Sequence, residues 1–100
     1  MKYLILIFTL FSFSFFAKAN ENNFFKEAKD LFDREKYEDS KFLFHRNIVY
    51  NPKDSASYLY LAKIFKIEDD KRQEEKNIRT TLLLDPKNEE AMYLLICLLY

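Results

Sequence analysis

The sequence contains no glycine and no tryptophan, and only two prolines, one cysteine and one histidine. A compact β-fold needs glycine at its tight turns, and a phosphate-cradling loop needs it for close backbone approach. Both are therefore disfavoured, and an all-α fold is expected. Cys97 has no second cysteine to pair with, which leaves packing rather than covalent staples to hold the fold. An excess of one charge is missing too. The 16 basic residues face 16 acidic ones, against the lysine and arginine surplus that phosphate binding requires, so no nucleic-acid partner is expected. A chain of 100 residues has room for one small domain and not for a large enzyme.

What is present begins with an apolar leader. Lys2 precedes a run from Leu4 to Phe16, interrupted only by Thr9, Ser12 and Ser14, and Ala17-Lys18-Ala19 follows. A charged start, an apolar middle and an A-x-A end form the order of a secretory signal peptide, with cleavage expected between Ala19 and Asn20. As a helix the run reaches roughly 20 Å at about 1.5 Å per residue, short of the ~30 Å hydrocarbon core of a bilayer. The expectation is a signal peptide at 1–19 and an exported domain at 20–100. An uncleaved signal anchor, which would tether the same domain to the membrane, is the alternative. No cysteine flanks the expected cleavage point, so no lipid anchor is expected there. Without the leader's two lysines, 14 basic and 16 acidic residues remain, an ordinary solvated surface.

The rest of the sequence repeats. Asn51-Pro52-Lys53-Asp54 returns one period later as Asp85-Pro86-Lys87-Asn88. The same offset aligns apolar columns: Phe24, Tyr58 and Met92; Ala28, Ala62 and Ile96; Leu31, Phe65 and Leu99. Phe44 likewise meets Ile78, Ile48 meets Leu82, and Tyr50 meets Leu84. Within the first unit, Phe24, Ala28, Leu31 and Phe32 mark one helical face and Phe44, Ile48 and Val49 another. Polar breaks at Asp33-Arg34-Glu35-Lys36 and Glu68-Asp69-Asp70-Lys71 divide the units into helical hairpins. Pro52 and Pro86 end the second helix of each unit, since proline disfavours helix at the preceding residue and cannot donate to the ladder. Asp54 or Ser55, and later Asn88, can accept from orphan N–H groups of the next helix, while Glu89 and Glu90 suit a first turn. This spacing predicts helices over 22–34, 37–50, 55–67, 71–84 and 89–100.

A helix–turn–helix unit of about 34 residues ending in proline resembles the tetratricopeptide repeat (TPR). The resemblance covers about Glu21 to Tyr100, as repeats at 21–54 and 55–88 and a partial repeat at 89–100. Ala28 and Ala62 match the small residue of the family's first helix, and Ile96 departs from it. Phe44 matches the aromatic of the second helix where Ile78 does not, and Tyr37 matches its tyrosine where Lys71 does not. Glu35 and Asp69 occupy the inter-helix turn, where the family commonly has glycine and where they tolerate positive φ less well.

The resemblance implies antiparallel helical hairpins stacked as a short right-handed solenoid. Its concave face would be lined mainly by the first helix of each unit and would receive a peptide or partner helix. Carried over by register, Phe25, Lys29 and Phe32, then Leu59, Lys63 and Lys66, then Glu90 and Tyr93 fall on that face. Such a surface offers apolar anchors and a lysine stripe suited to an acidic segment. Some TPR co-chaperones grip a C-terminal carboxylate with a Lys/Asn/Arg constellation. Phe25 and Lys29 stand at its first pair here, so no such clamp is expected.

Little else in the sequence could carry chemistry. His45 has no nucleophile or ligand partner at fixed spacing, and Cys97 sits among Leu94, Leu95, Ile96, Leu98 and Leu99 as a small hydrophobe would. Glu68-Asp69-Asp70 lacks the alternating ligands and glycine of a calcium loop and runs directly into Lys71-Arg72. No catalytic residue, metal or cofactor is expected. The expected function is a non-enzymatic adaptor or scaffold of the bacterial envelope, exported to the periplasm, that holds a protein or peptide partner on the concave face. The alternative rests on Ala91 to Tyr100, ten consecutive apolar residues where a terminal solenoid helix should keep a polar outer side. There the chain would be a structural module that self-associates through this helix.

Overall fold

The computed structural model describes residues 23–100, so the expected signal peptide and its cleavage point lie outside the described residues. These residues form five helices and, among them, no strand: α1 (Asn23–Asp33), α2 (Tyr37–Tyr50), α3 (Ser55–Ile67), α4 (Lys71–Leu84) and α5 (Glu89–Leu99). Every boundary lies within one residue of the spacing-based expectation. Consecutive helices pack on one another, most extensively α1 on α2 and α3 on α4. The fold is all-α.

The turn inside each hairpin is closed without glycine. Glu35 and Asp69 take left-handed φ values of 62° and 61°. In the first turn the Lys36 N–H donates to the Leu31 carbonyl at 2.8 Å and the Glu35 N–H to that of Phe32 at 3.0 Å. In the second the Asp70 N–H donates to Phe65 at 2.9 Å and the Asp69 N–H to Lys66 at 3.1 Å. These are two copies of one helix-ending motif, which satisfies carbonyls the helix leaves unpaired. A side chain with a Cβ holds the left-handed position at a cost of about 1–2 kcal/mol.

The connections between hairpins also repeat. Asn51 (φ −140°, ψ 75°) and Asp85 (φ −137°, ψ 83°) leave the helix in nearly the same conformation, as the following Pro52 and Pro86 require. The next helix then begins differently in the two places. The Asn88 side chain accepts from the Ala91 N–H at 2.9 Å and caps α5. Asp54 makes no such cap on α3. Its Oδ2 instead accepts from Asn47 Nδ2 at 3.0 Å and from the Ser57 hydroxyl at 2.7 Å, and Asn47 also donates to Ser57 at 2.9 Å. The expected capping at Asp54 thus gives way to a side-chain triad that ties α2 to α3. Ser55 is simply the first helical residue.

Helix α3 supplies two cores. Leu61, Ile64 and Phe65 pack with Ala28 of α1 and Phe44 of α2, surrounded by Phe25, Phe32, Tyr37 and Tyr60. Leu59 and Ala62 pack with Ile78 of α4 and Ala91 of α5, surrounded by Leu82, Leu94, Leu95 and Leu98. The small residues Ala28 and Ala62 are buried as the columns required. The column member Tyr50 is not, at 70% exposed, nor is Val49, which the spacing set on one face with Phe44 and Ile48, at 77%. Tyr50 shields part of its ring by stacking on Phe24 at 5.6 Å. Val49 lies on a side of α2 that no other helix among the described residues covers.

Candidate interaction surface

The first helices of successive units touch through the side chains assigned to the expected partner face. Tyr60 of α3 is the hinge point of the first contact. Its ring stacks on Phe44 at 5.1 Å and meets the edges of Phe25 at 6.0 Å and Phe32 at 5.2 Å. Phe25 and Phe32 are consequently half-buried between α1, α2 and α3, and Phe32 also packs edge-on to Tyr37. Sequence reasoning missed Tyr60. The available signal was its place one helical turn before Lys63, on the same stripe of α3.

The second contact is ionic. Lys63 pairs with Glu90 of α5, and its ammonium lies 4.9 Å from the Tyr60 ring centre. Of the eight residues assigned to the partner face, Lys29, Lys66, Glu90 and Tyr93 are exposed, with Tyr93 at 66%. Leu59, at 7%, serves the second core. The exposed surface of this row is therefore made of ammonium groups, aromatic edges and the Glu90 carboxylate that Lys63 pairs with, with Leu59 beneath it. An arrangement of this kind can attract an anionic segment and seat an apolar side chain, and it presents no convergent nucleophile, acid and base.

A cleft opens at the C-terminal end of α3, where Lys66, Asp69, Lys71, Glu74, Cys97 and Leu98 line about 590 Å³, part of it open solvent. Glu74 is its unusual member. It occupies the place in the second unit that Ser40 holds in the first, and the Ser40 hydroxyl is buried and donates to the Ala28 carbonyl at 2.6 Å. Glu74 is nearly as enclosed, at 5% exposure. Desolvation pushes its carboxyl above the usual glutamate range, with Asp69 adding to the rise and Lys66 and Lys71 opposing it.

Other titratable groups are structural. Lys41 of α2 reaches the Glu68 carboxylate at 2.8 Å and lies 5.4 Å from the Phe65 ring centre, and the Glu68 hydrogen bond raises its pKa. His45 packs edge-on to Phe65, and desolvation with the nearby Lys41 charge lowers its pKa. Among the described residues no three His, Cys, Asp or Glu side chains converge as metal ligands. No helix among them is long and apolar enough to cross a membrane.

Comparison with known proteins returned no family model that matches the chain, and no curated protein matches it.

Proposed function

We propose that the chain is a TPR-like interaction module: its hairpins stack as a short right-handed solenoid, and the row of first helices holds an acidic segment of a protein partner. The supporting observation is that this row is continuous from α1 to α5, joined by the Phe25–Phe32–Tyr60 rings and the Lys63–Glu90 pair, and carries exposed Lys29 and Lys66. A partner carboxylate beside Lys29 or Lys66 would gain charge-assisted hydrogen bonds, while the aromatic edges and Tyr93 seat its apolar residues. The partner-contacting residues are Lys29, Lys66 and Tyr93. Phe25, Phe32, Lys63 and Leu59 hold the surface in shape. The module works outside the cytoplasm as an envelope adaptor without catalysis of its own, on the strength of the leader at 1–19.

A photo-crosslinking amino acid at Lys29 tests this in intact cells. This position is exposed on α1. The expected result is one dominant envelope adduct that disappears when Lys66→Glu is added, with helix content unchanged. Adducts that ignore Lys66→Glu, or no adduct, would exclude the acidic-partner reading.

A further inference from the structure

The turn end of the second hairpin is open where that of the first is filled. In the first unit Phe32 and Tyr37 pack edge-on with ring centres 5.5 Å apart, and Phe32 also meets Tyr60. One repeat later the places of these two rings are held by Lys66 and Lys71, and both lysines line the cleft of about 590 Å³. All six residues that line it have counterparts one repeat earlier, in Phe32, Glu35, Tyr37, Ser40, Lys63 and Ile64. Helix α5 thus takes the part here that α3 takes in the first unit. The opening comes from the exchange of two packed rings for two flexible side chains.

The deepest group differs as well. Where Ser40 is closed off by its bond to the Ala28 carbonyl, the second unit places Glu74, which is 5% exposed. Among the described residues no ion pair involves its carboxyl. Nor is that carboxyl sealed away. No side-chain oxygen among these residues is both fully enclosed and unpartnered, so the exposure Glu74 keeps is onto the cleft it lines. A carboxyl enclosed without a donor is driven toward the neutral acid, and a neutral carboxyl is itself a donor. The charge of the cleft follows from that proton. With Glu74 neutral, Lys66 and Lys71 outweigh Asp69; with Glu74 ionised, two ammoniums face two carboxylates and cancel.

We propose that this cleft receives a side-chain carboxylate of the acidic partner, held between Lys66 and Lys71 and hydrogen-bonded by the carboxyl proton of Glu74. The assignment deepens the acidic-partner reading and rests on it. Lys66 belongs both to the exposed row of first helices and to the cleft, so a segment lying along the row reaches the cleft directly. A hydrogen bond from a neutral carboxyl to a carboxylate is charge-assisted, whereas an ionised Glu74 would repel the guest. The charged and titratable groups facing Glu74 are Lys66 of α3, Asp69 of the turn, Lys71 of its own helix and Cys97 of α5. The lysines attract the guest and Asp69 opposes it. Binding is therefore strongest at low pH, fades as pH rises through the folded-state pKa of Glu74, and takes up a proton there.

Amide NMR shifts test this on protein expressed from the complete sequence and purified as the cell leaves it. The probe is an acetylated, amidated tri-aspartate peptide, anionic at both about pH 5 and about pH 7.5. The perturbed amides are expected to include Asp69, Lys71 and Glu74, with a dissociation constant at least about fivefold higher at the upper pH. Glu74→Gln keeps a donor at both pH values and is expected to bind with one affinity, tighter than wild type at the upper pH, with helix content by circular dichroism retained. Lys71→Ala, a change at an exposed side chain, weakens binding at both. The proposal is overturned by a wild-type affinity that ignores pH, a Glu74→Gln variant that keeps the pH dependence, or a Lys71→Ala affinity equal to wild type. It is equally overturned if the cleft instead takes up acetylated, amidated lysine more tightly as pH rises. In each of these cases, loss of the acidic peptide in Lys66→Glu leaves the acidic-partner reading standing alone. No binding of that peptide at either pH overturns both.

Discussion

The two hairpins share a backbone and differ in what holds it. One repeat apart, Glu35 and Asp69 have the same left-handed φ, and Asn51 and Asp85 leave their helices alike. Yet the first hairpin is packed around stacked and edge-on rings, and the second around aliphatic residues. Ser40 closes the first with a buried hydroxyl bonded to the Ala28 carbonyl, where the second encloses the Glu74 carboxyl. The first hairpin is joined to the next helix by the Asn47–Asp54–Ser57 triad. Its successor at the same point is Thr81, whose hydroxyl returns to the Asn77 carbonyl of its own helix at 2.8 Å, and an ordinary Asn88 cap. The repeat therefore conserves chain direction and leaves side chains free to supply stability by unrelated means.

That contrast can be broken most strongly at the junctions. Asn47→Ala removes two of the triad's three hydrogen bonds, leaving only that of Ser57 to Asp54, and is expected to cost about 1–3 kcal/mol in urea unfolding. Thr81→Val removes only a bond within α4 and should cost less than about 1 kcal/mol. Equal losses would mean that the triad adds nothing beyond the cap. The shared turns offer the opposite test. Glu35→Gly and Asp69→Gly each relieve a left-handed Cβ and should each stabilise by up to about 1 kcal/mol, the two gains adding in the double variant. Markedly unequal gains would show that the matching φ values conceal different strain.

The subtlest difference depends on pH. Burial raises the folded-state pKa of Glu74 above its ordinary value of 4.5. The contribution of its protonated form is fully present below the unfolded pKa and is lost as pH rises through the folded one. Wild type should accordingly lose ground to Glu74→Gln between about pH 4 and pH 7. Thermal melts of both proteins at the two pH values measure it, and a gap that does not change with pH removes Glu74 as its source.

Much of this architecture was legible because it is local. Helical spacing, two prolines and the polar breaks place all five helices, and the glycine-type turn positions fall where Glu35 and Asp69 adopt positive φ. Burial was less legible. Ala28 with Ala62 and Phe44 with Ile78 are enclosed as paired columns, while Val49, Ile96 and Leu99 follow the same spacing and stay exposed. Whether an apolar residue is buried depends on a neighbour elsewhere in the chain, and periodicity does not say which faces acquire one. The candidate surface shows the same divide. Lys29, Lys66 and Tyr93 stand exposed, whereas Leu59 turns into the second core and Tyr60, which spacing did not single out, holds Phe25 and Phe32 together.

The chain's rhythm is written along its length: all-α character, turns that recur with the period of the repeat, and a hairpin between successive prolines and polar breaks. These follow from backbone preferences and proline's missing donor, which act within a few residues. Packing between helices settles the rest: α3 feeds two cores, Lys63 is drawn to Glu90, Glu74 is enclosed, and α5 keeps one apolar face buried and the other open. Desolvation, ring stacking and ion pairing are set by which helices meet across the repeat, and residues far apart in the chain acquire those neighbours only when it folds.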